Sequence, residues 1–249
     1  MVRPVSLSRR LLGGWRRRLG LGDSRRATPH TAALPATAAL SELPLAVLDT
    51  ETTGLNPLKD RIISIGGLQW RGDAAEGLLL DLQIHPGRPI PAAATQIHGI
   101  TDAMVASAPP FALVAASVLH FWHHRVLVGH NIGFDLALLR EEAQRARLAF
   151  HPPPAALDIG LLYAGLHPRE HSITLESIAK HLGVAVKKRH DAMGDAETAA
   201  ALWCALRPQL LAHGIGTLGM AVALMRRPRD LVFNQRQAGW AIDLVVPHD

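Results

Sequence analysis

The chain has one cysteine, Cys204, in 249 residues, so no disulfide can close within it. Nothing stands at metal-ligand spacing from that thiol, and it reads as a small apolar residue on a helix. A lone thiol fits a reducing compartment, and a cytoplasmic location is expected. Long apolar runs are also missing. None approaches the roughly 18 residues that would mark a bilayer-spanning helix, so no membrane span is expected. Nor is there an apolar stretch followed by a small-residue cleavage site, which argues against a secretory signal. Acids are scarce at the start: residues 1–30 hold eight arginines against Asp23 alone. That segment carries +7 of a chain whose net charge is +5, so the other 219 residues sum to about −2. A near-neutral body does not exclude nucleic acid as a partner. A protein that meets phosphate through bound cations needs an acidic pocket to hold them, and its net charge can be near zero.

What is present is a globular body with an appendage. Hydrophobic residues make up 48% of the chain, enough for one buried core. Residues 1–43 read as a flexible basic arm with an Ala/Pro linker, residues 44–212 as the main domain, and residues 213–249 as a C-terminal helix and tail. The arm, with Arg9–Leu19 as a broken basic amphipathic stretch, suits a solvated extension, a nucleic-acid or partner contact, or an organellar transit peptide. Within the body, Leu45–Leu48 is a short buried strand. Arg61–Trp70 and Glu76–Ile84 alternate as strands and suggest an antiparallel meander. Phe111–His124 is a helix, Val126–Val128 a strand, Phe134–Leu148 a helix, and Leu157–Ile159 a short strand. Thr174–Leu182, Ala192–Leu211 and Thr217–Arg227 have helical spacing. The alternation predicts an α/β fold with a mixed central sheet flanked by helices.

Four acids and a histidine lie in three separated stretches: Asp49-Thr50-Glu51-Thr52-Thr53-Gly54-Leu55, His130-Asn131-Ile132-Gly133-Phe134-Asp135, and His190-Asp191-Ala192-Met193-Gly194-Asp195. Asp49 and Glu51 are two apart on a predicted strand, so both side chains share one face. Paired carboxylates at a buried strand end are costly unless cations offset them, and hard Mg²⁺ or Mn²⁺ suits such oxygens. Asp135 opens a predicted helix, where either capping or metal ligation would place an acid. The His130-Asn131 pair just upstream favours a site. His190 precedes Asp195 by five residues on a loop entering an Ala-rich helix, a spacing that lets the carboxylate bind metal while the imidazole serves as general base near neutral pH.

The three stretches resemble the exonuclease motifs of the DnaQ-like, DEDDh-type 3′–5′ exonucleases, and most resemble bacterial relatives of the proofreading ε subunit of DNA polymerase III. The resemblance runs from about Leu45 to Leu211 and implies an RNase H-like fold. By matching position it implies that Asp49, Glu51, Asp135 and Asp195 hold two divalent cations and that His190 is the base. Thr52, Thr53, Gly54, Leu55, Asn131 and Phe134 fall on the family's substrate-binding positions. Gln96–Thr101 resembles the loop whose histidine, here His98, contacts the terminal nucleotide. Where the proofreading subunit has a substrate-contacting Glu five residues earlier, this chain has Ala93. The expected activity is hydrolysis at the 3′ end of single-stranded DNA or a frayed duplex, releasing nucleoside 5′-monophosphates, with a polymerase or repair complex as partner. The alternatives are an exoribonuclease of the RNase T or oligoribonuclease type, and a non-catalytic nucleic-acid-binding subunit.

Overall fold

The structure is a computed structural model, and it describes residues 34–72, 74–170 and 172–241; the basic stretch of the arm lies outside them. A five-stranded sheet forms the centre, in the order β3-β2-β1-β4-β5. Strands β1 (Pro44–Thr52), β2 (Ile62–Arg71) and β3 (Ala74–Gln83) form the expected antiparallel meander, while β4 (Val126–Gly129) and β5 (Ala156–Asp158) add on in parallel. Parallel neighbours need crossovers. They are supplied by α3 (Phe111–His120) before β4 and α4 (Ile132–Arg145) between β4 and β5. Two short helices, α1 (Ala92–His98) and α2 (Asp102–Val105), precede α3. After β5 come α5 (Ile159–Leu166), α6 (Leu175–Leu182), α7 (Ala192–Ala212), α8 (Leu218–Met225) and α9 (Arg229–Gln237).

The alternation of β1 divides the core and positions the site. Leu45 and Val47 point into a cluster built with α7, α5, α6 and α8, including Trp203, Leu206 and Leu224. Ala46 and Leu48 point into a second cluster on the other face, with Phe111, Phe121, Leu138 and Leu139 from α3, its C-terminal turn and α4. Side chains alternate along a strand, so Asp49 and Glu51 continue the first face, toward α7. Thr50 continues the second, toward α4.

Two glycines permit the close packing this requires. Gly66 on β2 stands opposite Asp49, and a Cβ there would lie 2.1 Å from the Ala192 backbone. Only glycine lets the first turn of α7 settle onto the sheet beside the acids. Gly129, at the end of β4, would clash in the same way with the Leu48 carbonyl oxygen at 2.7 Å.

Several boundaries differ from the sequence reading. The segment taken as linker is packed from residue 34 on: Leu40 and Leu43 are buried in the first cluster, and Ala39 bridges Thr217. The backbone N–H groups of Leu218 and Gly219 donate to Ala38 and Ala36. The C-terminal helix expected after residue 212 is present as α8 and packs on the body, with Leu218, Val222 and Met225 in the core. Finally, the strand expected through Ile159 ends at Asp158. There the carboxylate accepts a hydrogen bond from the Leu161 N–H at 3.1 Å and caps α5.

Candidate active site

Three elements deliver the four acids to one end of the sheet. Asp49 and Glu51 come from the last residues of β1, Asp135 from the first turn of α4, and Asp195 from the first turn of α7. Glu51, His190 and Asp195 each present a ligand atom, and these atoms lie within 4.8 Å of one another. Asp49 and Asp135 stand outside that trio but share its field. Burial raises the Asp49 pKa well above the ordinary carboxylate value, and Asp135, Asp195 and Glu51 add to the effect in that order. Glu51 is pushed up to about 7, mainly by burial and then by Asp195. Asp135 also rises to about 7, again through burial. The Thr50 hydroxyl opposes that rise by donating to Asp135 Oδ1 at 2.6 Å. Asp195 is raised by burial, with Arg189 opposing. Among the described residues Arg189 is the only cation paired with these acids, joining Asp195 on one side and Glu176 on the other.

The loop ahead of α7 is shaped to hold His190. His190 adopts a left-handed backbone, φ 57°, a conformation uncommon for non-glycine residues and concentrated at functional sites. Its N–H donates to Asp195 Oδ2 at 3.1 Å. Gly194 is required by close packing, because a Cβ there would meet the Lys188 carbonyl oxygen at 2.2 Å. The buried Thr198 hydroxyl donates to the Gly194 carbonyl at 2.7 Å and accepts from the Lys187 N–H at 3.0 Å, pinning the loop to the helix. His98, at the end of α1, lies near Thr52 and His190, and burial lowers its pKa below the usual imidazole value.

The remaining residues expected to bind substrate divide into two kinds. Thr52 and Thr53 are buried ties of the turn after β1. Thr52 donates to the Gly54 carbonyl at 2.7 Å, and Thr53 donates to Asp60 at 3.1 Å and accepts from the Arg61 N–H. Gly54 leaves room for the Asp60 carboxylate, which a Cβ would meet at 2.5 Å. Leu55 stands 70% exposed beyond them. Asn131 and Phe134 are engaged by the C-terminal segment: Asn131 Oδ1 accepts from Gln235 Nε2 at 3.3 Å, and the Phe134 ring packs against Trp240 at 5.1 Å.

Several site residues were not singled out from sequence. Arg189 sits next to His190, but an arginine beside a catalytic histidine has no signal of its own. Asp158 is fully buried, and its other oxygen accepts from Gln235 Nε2 at 3.2 Å. Burial raises its pKa, and the adjacent half-buried His130 opposes that rise.

The donor set fits hard divalent cations. It is all carboxylate oxygen with one imidazole, the acids are short of cationic partners, and the buried Oδ1 of Asp195 has no hydrogen-bond partner among the described residues.

A mixed sheet of this order, with acids gathered from the central strand and two helix starts, defines the RNase H-like exonuclease fold. Residues 46–203 match the family model described as Exonuclease, and the chain belongs to that family. It is 38% identical over 192 residues to a DNA polymerase III subunit epsilon-like protein of Rhodobacter capsulatus, covering 76% of this chain and 27% of that protein. It is 34% identical over 152 residues to the PolC-type DNA polymerase III of Latilactobacillus sakei, covering 61% of this chain and 10% of that one. The chain thus spans about a quarter or less of the length of these relatives. Among solved structures, E. coli exonuclease I in complex with a dT13 oligonucleotide aligns with a TM-score of 0.57 at 20% identity, over 78% of this chain and 44% of that one. That likeness shows the fold alone. Among the described residues no helix is long and apolar enough to cross a membrane.

Proposed function

We propose that the chain is a metal-dependent 3′–5′ exonuclease that removes nucleoside 5′-monophosphates from the 3′ end of single-stranded DNA. The observation that carries this reading is the gathering of Asp49, Glu51, Asp135 and Asp195 at one end of the sheet with, among the described residues, a single arginine paired to them. Such a group is unfavourable without added positive charge. Asp49, Glu51 and Asp195 would hold one Mg²⁺ or Mn²⁺, and Asp49 and Asp135 a second. Bound there, divalent cations supply Lewis-acid neutralisation of phosphate charge and ease deprotonation of water.

The protein's own residues do the rest. His190 accepts the proton of the attacking water at its ring nitrogen, and its backbone tie to Asp195 keeps the imidazole over the acids. His98 and the turn at Thr52–Leu55 border the space for the terminal nucleotide. The exonuclease family membership and the polymerase-associated relatives support a replication or repair setting, with a polymerase or repair complex as partner.

The test is a turnover assay on DNA and RNA oligonucleotides of equal sequence, each labelled in turn at the 5′ and the 3′ end. A 3′–5′ exonuclease releases mononucleotides first from the 3′ label and only with a divalent cation present. Preference for the RNA strand would move the reading to an exoribonuclease. Release from the 5′ label first, or no turnover with either metal, would overturn it.

A further inference from the structure

The last described helix, α9, presents a face that the site chemistry leaves unused. Arg229, Phe233 and Arg236 are spaced i, i+4 and i+7, so they line one side of the helix. Arg226, at the end of α8, extends the row. Together with Asp230 and Val232 they line a groove of about 460 Å³. The stretch 226–237 holds four arginines, Arg226, Arg227, Arg229 and Arg236, against one acid, Asp230. All four arginines are exposed, and none forms an ion pair among the described residues. Phe233 is 59% exposed in their midst.

This face is joined to the active site. Gln235, on the inner side of α9, donates to both Asn131 and Asp158. The helix then ends in a turn that folds the chain back. Gly239 adopts φ 80°, its N–H donates to the Arg236 carbonyl, and the Trp240 N–H donates to the Gln235 carbonyl at 2.8 Å. This is the paired bonding of a Schellman ending. It lays Trp240 on Phe134, the neighbour of Asp135. The helix that carries the arginines is therefore tied, through Gln235 and Trp240, to Asn131 and Phe134, which lead into Asp135.

We propose that α9 is a ledge for single-stranded DNA, binding the nucleotides upstream of the 3′ terminus. Arg226, Arg229 and Arg236 would contact phosphates, and Phe233 would stack on a base. Guanidinium groups with an exposed aromatic are the chemistry by which proteins hold a single strand without reading its sequence. The proposal rests on the exonuclease reading for the direction of the strand but not for its attraction to the ledge.

The test uses the full chain with fluorescein-labelled dT12 and dT3, in Ca²⁺ for binding by anisotropy and in Mg²⁺ for turnover. The variants are Phe233→Ala and the double change Arg229→Ala with Arg236→Ala. Their exposure predicts unchanged melting temperatures, which are measured alongside. Phe233→Ala should weaken dT12 binding by about 5-fold or more, the loss typical of one stacked base. The double variant should flatten the slope of log affinity against log salt by about 1.4, at about 0.7 per phosphate neutralised. Both deficits should shrink as the strand is shortened to dT3. Unchanged dT12 affinity and salt slope in folded variants would overturn the ledge while leaving hydrolysis by the wild type as support for the exonuclease. Ledge-dependent binding of dT12 without any hydrolysis would do the reverse.

Discussion

Two buried groups of charges lie on either side of α4, and they are built in opposite ways. At its C-terminal half, Glu142 is 1% exposed and is met by two arginines. Arg61 binds both its oxygens, at 2.6 and 2.9 Å, and Arg145 approaches at 3.4 Å. Arg145 also donates to the carbonyls of Pro57, Leu58 and Asp60, so the group ties the turn after β1 to the helix. At its N-terminal end, Asp135 joins three other acids and one arginine, and its carboxyl is pushed to about 7. The first group has cations matched to its acid and holds structure. The second lacks them, and that imbalance is what a chemical site needs and a scaffold avoids.

Substitutions should separate the two groups. The largest effect on chemistry is expected from Asp49→Ala or Asp195→Ala. Turnover should fall to the background of the assay, while the metal-free protein melts at or above the wild-type temperature because a repulsive charge is gone. His190→Ala should lower turnover by about 10²–10⁴, the usual range for a general base. Mg²⁺ should still bind, as calorimetry would show.

Glu142→Ala reverses the pattern. Leaving Arg61 and Arg145 beside an empty position should cost about 3–5 kcal/mol of stability, read by denaturant unfolding. Turnover well below the melting temperature should change little by comparison. The smallest expected effect is that of Arg189→Gln. The guanidinium pairs with Asp195 and competes with any cation there, so the variant should bind Mg²⁺ a few-fold more tightly in calorimetry. An unchanged affinity would mean that Arg189 moves aside without cost.

The acidic group was legible in sequence because it depends on local rules: period two for Asp49 and Glu51, a helix start for Asp135, and a fixed step from His190 to Asp195. The central strands and long helices were legible for the same reason. What escaped depends on tertiary contacts. Leu40 and Leu43 lie within the Ala/Pro-rich stretch that reads as a linker, and only their burial against the core shows otherwise. The apolar residues of α9, Leu231, Val232 and Phe233, are consecutive and do not recur three or four residues on, so the stretch Phe233–Trp240 reads as polar with two aromatics. The Glu142 group joins residues 81 apart through Arg61, a pairing that no single-sequence pattern announces.

The most direct test of the contrast is the melting temperature between pH 5 and pH 8.5, with EDTA and with saturating Mg²⁺. Glu51 and Asp135, raised to about 7 in the folded protein, hold protons that the unfolded chain has released. Their contribution to stability is complete below about pH 4, under the unfolded carboxylate values, and is lost as pH rises through 7. Cations bind the deprotonated acids and offset that loss. The account predicts that the two melting curves coincide near pH 5 and separate as pH passes 7, with the Mg²⁺ curve higher. Curves that stay parallel across the range would contradict a metal site built on unpaired acids.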